Sequence, residues 1–160
     1  MGVEDHLDGA AEVYGKYAVE ITRFATGLVG PSDAADVVSA AVVGCLSSGR
    51  WPAVDDPRAY LYRSVLNQAR MTHRSSLRRA ARELRAAGPE GMVMAEGLPE
   101  VLAAVARLSL RQRAVVMLTY WDDLAPGAVA AVLGISEGSV RRHLARGRAR
   151  LRELLHDRSD

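Results

Sequence analysis

The chain has 160 residues, 49% of them hydrophobic and 25% charged, a balance typical of a globular protein that excludes a chain disordered throughout. No apolar run approaches the roughly 18 residues that span a bilayer, and the first ten residues are acidic, unlike a secretion signal, so we expect a cytoplasmic protein. One cysteine and four scattered histidines exclude disulfide frameworks and structural zinc sites, and we expect no metal or cofactor.

Positive charge is concentrated in two parts of the chain. Residues 57–86 hold eight basic side chains and one acidic, and residues 138–160 hold seven basic and three acidic, although the whole chain has a net charge of only +2. This distribution indicates two separate surfaces that face a polyanion such as nucleic acid. The alternative is a pair of solvated helix faces.

Two helices are predicted before residue 47. Apolar residues over 14–28 recur at the spacing of one helical stripe, and the Gly-Pro pair at 30–31 ends that helix. Ser32 is expected to be the N-cap of the next helix, with Asp33 in its first turn, where a carboxylate faces the positive end of the helix dipole. We interpret Cys45, on the apolar stripe of this second helix, as a small core residue.

A loop and a long third helix follow. Residues 47–57 contain two prolines and a glycine and cannot continue a helix. The third helix is predicted from about Arg58, and its far end is expected to project from the core. Arginines recur every three or four residues along one side of it, a stripe that suits contact with backbone phosphates and reads no sequence by itself. The members of this stripe are Arg70, Arg74, Arg78, Arg82 and Arg85.

A linker is predicted at residues 87–99, which hold three glycines and two prolines between two strongly periodic regions. We therefore place domains at 1–86 and 100–160. The second domain begins with a short helix over 101–108, and a capping box at 109–112 begins the next helix. Because no segment alternates with period two, the expected fold class is all-α, with two small helical domains joined by a flexible linker.

The last part of the chain carries a helix-turn-helix pattern. A short helix over 126–133 is followed by Gly134, which suits the left-handed position past a helix end, and Ser136 is the expected N-cap of the last helix. The residues that this last helix is expected to bury are Val140, Leu144, Leu151 and Leu155.

The opposite face of the last helix combines small residues with arginines. The small residues let the backbone lie close to a groove floor, while Arg142 and Arg146 can reach guanine edges or phosphates. Glu137 would repel phosphate unless it accepts a hydrogen bond from a cytosine amino group. The outward residues, found by rotating about 100° per residue, are Gly138, Ser139, Arg142, Ala145, Arg146 and Ala149. The flanking residues are Arg141 and Arg148 on one side and His143 and Arg150 on the other.

Three segments carry a resemblance to a known family. GISEGSVRRHLARGRARLREL at 134–154, LSLRQRAVVMLTYWDDL at 108–124 and DPRAYLYRSVLNQAR at 56–70 resemble bacterial RNA polymerase sigma factors of the extracytoplasmic-function type, in a small actinobacterial branch. Residues 10–86 resemble the sigma-2 domain and residues 100–156 the sigma-4 domain. The resemblance implies a subunit that binds core RNA polymerase, directs it to promoters and aids promoter opening, without catalysis. An anti-sigma factor is a candidate third partner.

The resemblance also implies site residues. Those expected to face the −35 element are Ser139, Arg141, Arg142 and Arg146. Those expected to hold the opened −10 strand and its adjacent backbone are Trp51, Asn67, Arg70, Arg74 and Arg78. Asp33 and Asp36 are expected to dock on the polymerase. Trp51 has an alternative role as an aromatic plug over the end of a three-helix core.

Two departures from the family pattern keep other functions open. Where the family usually has a glutamine and an acidic residue after the second aspartate, this chain has Ser39 and Ala40, and Tyr60 replaces the usual tryptophan before the core of the third helix. One alternative is a stand-alone helix-turn-helix regulator that binds duplex DNA without polymerase. The other is a degenerate sigma-like protein that sequesters a partner.

Overall fold

The computed structural model describes residues 3–87 and 100–156, and every regular element in these two ranges is a helix. The helices are α1 (Val3–Val29), α2 (Pro31–Ser47), α3 (Pro57–Ala87), α4 (Glu100–Val105), α5 (Leu110–Tyr120), α6 (Pro126–Leu133) and α7 (Glu137–His156). The all-α prediction is confirmed. No helix in the described ranges is both long enough and apolar enough to cross a membrane.

The predicted apolar stripe of α1 is buried, and α2 follows it after a single residue. Gly30 stands between the two helices with a φ of 86°, a left-handed conformation that favours glycine. Pro31 occupies the first position of α2, where its fixed φ suits a helix and its missing N–H is not needed. The prediction that Ser32 is the N-cap is wrong, because Gly30 takes that position without a side-chain hydrogen bond and Ser32 is already helical.

Trp51 closes one end of the three-helix unit formed by α1, α2 and α3. Its ring is fully buried, and its Nε1 donates a 3.2 Å hydrogen bond to the carbonyl oxygen of Pro57 at the start of α3. Asp56 is the cap of α3, since its Oδ1 accepts a 2.9 Å hydrogen bond from the backbone N of Ala59. The interpretation of Trp51 as an aromatic plug is therefore confirmed.

The packing of α7 against α5 depends on a glycine. A Cβ at Gly147 would lie 3.2 Å from Cγ2 of Val116, closer than side chains normally pack. Of the apolar residues predicted to be buried on α7, Val140 is buried, whereas Leu144, Leu151 and Leu155 are only half-buried. In the last turn Leu154 is buried instead. Leu154 lies only about 20° around the helix from Gly147, which packs against α5, whereas Leu155 lies about 80° from Gly147.

The first half of the described chain, residues 3–87, packs directly against the second half, residues 100–156. Helix α5 contacts α1 and α3, and α6 contacts α3. Buried residues of both halves, such as Phe24 and Val115, belong to one continuous hydrophobic cluster. The predicted linker lies outside the described residues except for Ala87, the last residue of α3. The two-domain boundary therefore stays a prediction.

Candidate nucleic-acid interface

A three-residue turn presents α7 at the surface. Gly134 ends α6 in the left-handed conformation, with φ 65° and ψ 38°, as predicted. Oγ of Ser136 accepts a 3.1 Å hydrogen bond from the backbone N of Ser139, which makes Ser136 the cap of α7. Both predicted helix signals are confirmed, and α6 and α7 form a helix-turn-helix.

The face of α7 that the rotation predicts to point outward is open to solvent. Arg142 and Arg146 are exposed, together with the small residues Gly138, Ala145 and Ala149, and Ser139 is half-buried. Nη2 of Arg142 donates a 3.0 Å hydrogen bond to Oγ of Ser139. This geometry suits insertion into a DNA major groove, since small residues allow close approach and arginines can bind guanine edges.

Glu137, the acidic residue of this face, has a basic partner. Nη2 of Arg141 donates to Oε1 of Glu137 one turn away, and both side chains are exposed. The pair offsets the negative charge that would repel phosphate, although an exposed pair of this kind contributes little stability. On the flank, Nη1 of Arg150 donates a 2.9 Å hydrogen bond to Oε2 of Glu153. Arg141 therefore neutralises the charge of Glu137 in the free protein.

A cationic cluster connects α3, α5 and α7. Burial lowers the pKa of Arg111, and the charge of Arg70 lowers it further. Burial also lowers the pKa of His143, with smaller contributions from Arg111, Arg146 and Arg142. Because these positive groups destabilise one another, a phosphate placed beside them would be bound favourably.

The arginine stripe lies on the exposed part of α3, as predicted. Arg74, Arg78 and Arg82 are exposed, and Nε of Arg82 donates a 3.2 Å hydrogen bond to the carbonyl oxygen of Arg78. Asn67 is also exposed, while Arg70 is half-buried beside the second half. The side chain of Arg85 lies outside the described side chains. The stripe can follow a nucleic-acid backbone but has no geometry that selects a base.

Trp51 does not join this surface. Its fully buried ring cannot stack on a base in this structure, so its expected role on the −10 strand is corrected. The role fails because the loop turns the indole inward, where the Pro57 carbonyl satisfies its N–H. Asp33 and Asp36 are exposed on the first turns of α2, where a partner could reach both carboxylates.

Comparisons with known proteins agree with this arrangement. Residues 98–151 match the family model "Sigma-70, region 4". The chain is 34% identical over 151 residues to an RNA polymerase sigma-E factor of Streptomyces antibioticus, covering 86% of this chain and 79% of that protein. The sigma-E factor of Streptomyces coelicolor is 32% identical over 143 residues, covering 78% and 73%. This chain belongs to the extracytoplasmic-function sigma factors.

Solved sigma factors share its fold. CnrH, solved in complex with the cytosolic domain of CnrY, has a TM-score of 0.63 and 27% identity, covering 97% of this chain and 92% of CnrH. The sigma factor RpoE from Bartonella quintana, solved with the anti-sigma factor NepR, has a TM-score of 0.61 and 20% identity, covering 91% and 98%. As a sigma factor, this chain directs core RNA polymerase to promoters in transcription initiation.

Sequence reasoning missed the polar contacts between the two halves of this sigma factor. Arg113 is buried on α5 and donates to the carbonyl oxygen of Leu28 on α1, and Arg23 pairs with Asp122. The position of Arg113 beside the apolar run 114–118 could have signalled its burial, but no local pattern names an acceptor 85 residues away. Within the described ranges, no group of His, Cys, Asp and Glu side chains could hold a metal ion.

Proposed function

We propose that this sigma factor reads the −35 element as duplex with α7, holds the opened −10 strand with α3 and docks on core polymerase through α2. The observation that carries the proposal is the outward face of α7, where Arg142 and Arg146 alternate with small residues. We also propose two domains, residues 1–86 and 100–160, joined by residues 87–99. The protein acts in the cytoplasm with the polymerase and catalyses no reaction of its own.

The −35 element would be read by base contacts and positioned by phosphate contacts. Arg142 and Arg146 can each form two hydrogen bonds with a guanine, the commonest specific contact in the major groove. Ser139 supplies a small donor and acceptor next to Arg142. Arg141 lies on the flank and is already paired with Glu137, so we assign it to phosphate. Base contacts select the sequence, and phosphate contacts set the register of the protein on the duplex.

The −10 strand would be held by α3 after the duplex opens. Asn67 can hydrogen-bond a displaced base, and Arg70, Arg74 and Arg78 can follow the phosphates beyond it. Opening costs a few kcal/mol per base-pair step, and contacts made only by the separated strand offset part of that cost. The assignment leaves Trp51 out, since it supports the loop from inside.

Core polymerase would contact the first turns of α2. Asp33 and Asp36 are exposed there, and two carboxylates on adjacent turns suit a basic partner surface. An anti-sigma factor is a proposed further partner, since CnrH and RpoE were solved with the cytosolic domain of CnrY and with the anti-sigma factor NepR.

In vitro transcription tests the proposal against its two alternatives. Purified core polymerase transcribes a library of genomic fragments with and without the protein, and sequencing of the 5′ ends identifies the start sites. We expect new start sites that share −35 and −10 sequences and that depend on the protein. Tight binding of the isolated protein to duplex operators, without new start sites, would favour a stand-alone regulator. Binding to neither DNA nor polymerase would favour a sequestering protein.

A further inference from the structure

An exposed methionine lies on the outer face of α3. Met71 is 61% exposed, and among the described side chains of this helix it is the one large hydrophobic residue that is open to solvent. At about 100° per residue, Met71 lies on the side of α3 opposite Tyr62 and Ala69, which are fully buried in the core. No rotation of α3 about its axis could bury Met71 without exposing that core. Met71 therefore takes no part in the packing of α3.

The second half of the described chain leaves Met71 uncovered. The side of α3 that faces this half carries Arg63, which lies against the end of α6, and Arg70, whose charge lowers the pKa of Arg111 on α5. Both arginines lie about 80–100° around the helix from Met71. The apolar surface of Met71 therefore points to solvent, away from the core and away from the second half.

Met71 lies among the polar residues that we assign to the opened −10 strand. Asn67 is one turn before it, Arg74 is three residues after it and Arg78 is two turns after it. All three are exposed and lie within about 60° of Met71 around the helix. We call these four residues the −10 face. A single exposed apolar side chain is common on protein surfaces, but this one lies in the middle of a face whose other three side chains can bind nucleic acid.

The −10 face has only Met71 to offer to the flat side of a base. Trp51, the aromatic residue expected to stack on the strand, is fully buried. Tyr60 lies on the same side of α3, three turns before Met71, but it is half-buried. Amide and guanidinium groups bind base edges and phosphates, whereas the face of an unpaired base is stabilised by stacking against an apolar or aromatic group. Met71 supplies such a group at a position that is open in the free protein.

A methionine at this position suits insertion between bases. Its side chain is unbranched, flexible and polarizable, so it adapts to an irregular apolar surface. Proteins that deform DNA insert methionine and other apolar side chains between base steps. Neighbouring stacked bases are about 3.4 Å apart, so one inserted side chain separates them to about 7 Å. Asn67 and Met71 are one turn apart, which is about 6 Å along α3, close to that widened spacing.

These spacings relate Met71 to the neighbouring contacts on the strand. When Asn67 hydrogen-bonds one displaced base, Met71 reaches the gap beside that base. Arg74 and Arg78 lie about 4.5 and about 10.5 Å further along α3, where they can follow the phosphates. Bases in a closed duplex are stacked without a gap, so only the opened strand can accept Met71. The contact therefore favours the open promoter over the closed one.

We propose that Met71 inserts between two bases of the opened −10 strand, beside the base that Asn67 binds, and thereby stabilises the opened promoter. This inference rests on the proposed function, since it takes α3 to hold that strand. Every base has a flat face, so the contact adds to the stability of the open state without selecting a sequence. Asn67 selects a base edge, and Met71 holds the strand apart next to it.

Holoenzyme assembled from core polymerase and the protein tests the proposal on a promoter recovered from the transcription library. One form of this promoter is fully paired, and a second form is mismatched across the −10 element and is therefore already open. Met71→Ala removes the side chain, Met71→Gln keeps its length but makes it polar, and Met71→Leu keeps it apolar. Val19→Ala, at a 79% exposed apolar position on α1, is the matched control. Permanganate reactivity of unpaired thymines measures opening, and titration of the mismatched form measures affinity.

We expect Met71→Ala and Met71→Gln each to lower the equilibrium constant of opening about tenfold, because each loses the burial of an apolar side chain between bases. Affinity for the mismatched promoter should fall by a similar factor. Met71→Leu and Val19→Ala should stay within about twofold of the wild type in both measurements. The salt dependence of complex formation should be unchanged in Met71→Ala, since this variant loses no phosphate contact.

The same experiment separates failure of this inference from failure of the proposed function. Opening by Met71→Ala or Met71→Gln within about twofold of the wild type would overturn the role of Met71. A loss that Val19→Ala shares, or a smaller salt slope for Met71→Ala, would also overturn it. If the wild type opens no promoter, or if Asn67→Ala opens it as the wild type does, the proposed function of α3 fails instead.

Discussion

Arg142 and Ser139 are coupled on the exposed face of α7, where Nη2 of the arginine donates a 3.0 Å hydrogen bond to Oγ of the serine. Oγ of Ser139 also lies 2.9 Å from Oγ of Ser136, the helix cap. A chain of hydrogen bonds therefore runs from the cap to the arginine. Because the guanidinium is oriented before DNA arrives, it loses less rotamer freedom when it binds a base.

Two substitutions separate the role of Ser136 as the cap of α7 from the role of Ser139 in orienting Arg142. Ser136→Ala removes the acceptor for the first turn of α7, and we expect it to lower the free energy of unfolding by about 1 kcal/mol. Ser139→Ala leaves the cap in place and should change that free energy by less than about 0.5 kcal/mol, while lowering discrimination among −35 sequences. Urea denaturation measures both variants. Equal destabilisation would contradict the assignment of Ser136 as the cap.

Charge reversal on α2 tests the polymerase contact. We expect Asp33→Arg with Asp36→Arg to abolish co-purification with core polymerase, because a surface that binds carboxylates repels arginines. Both residues are exposed, so circular dichroism should show unchanged helical content. Glu12→Arg, at an exposed position on α1, is the matched control and should leave co-purification intact. Polymerase binding by the double variant would remove α2 from the interface.

The arginine stripe on α3 should show itself through salt dependence. Each neutralised phosphate releases condensed cations, so log affinity falls with log salt by about 0.9 per contact on duplex and about 0.7 on a single strand. We expect Arg74→Ala and Arg78→Ala each to reduce the slope of promoter-complex formation by somewhat less than one, without changing the preferred sequence. Lys16→Ala, at an exposed cation on α1, is the control. Unchanged slopes would mean that the stripe is only solvated.

His143 should couple promoter binding to protons. In the free protein, burial and the nearby arginines hold its pKa below the ordinary value of 6.5, so the imidazole is neutral at pH 7. A phosphate beside it would raise that pKa, and binding would then take up a proton. Affinity should therefore rise as pH falls from 7.5 to 6.0, and less so for His143→Gln. Identical pH profiles for wild type and variant would place His143 away from phosphate.

The elements that sequence predicts well are those specified by neighbouring residues. The helix-turn-helix follows from Gly134 and Ser136, whose roles depend on local backbone geometry, and the capping box of α5 is present with hydrogen bonds of 3.1 and 3.3 Å between Ser109 and Gln112. The N-cap of α2 was mistaken because Gly30 and Ser32 are both competent caps, and Pro31 decides between them by its fixed φ.

Features that depend on distant contacts could not be predicted. The inward turn of Trp51 requires the end of a core built by three helices, and its aromatic character fits a base-stacking surface equally well. The burial of Arg113 requires the end of α1, which is far away in sequence. Rotation angles alone placed Arg142 and Arg146 on the exposed face of α7, since that face depends only on helical periodicity.

The central claim is that α7 reads the −35 element through Arg142 and Arg146. The most direct measurement profiles polymerase-dependent initiation on a library of −35 variants with the wild type, Arg142→Ala, Arg146→Ala and Arg150→Ala. We expect each of the first two variants to lose about 1–3 kcal/mol of discrimination at its own base position, and Arg150→Ala to weaken initiation evenly on all sequences. Even losses across the library for all three variants would contradict the claim and show that α7 contacts only phosphate.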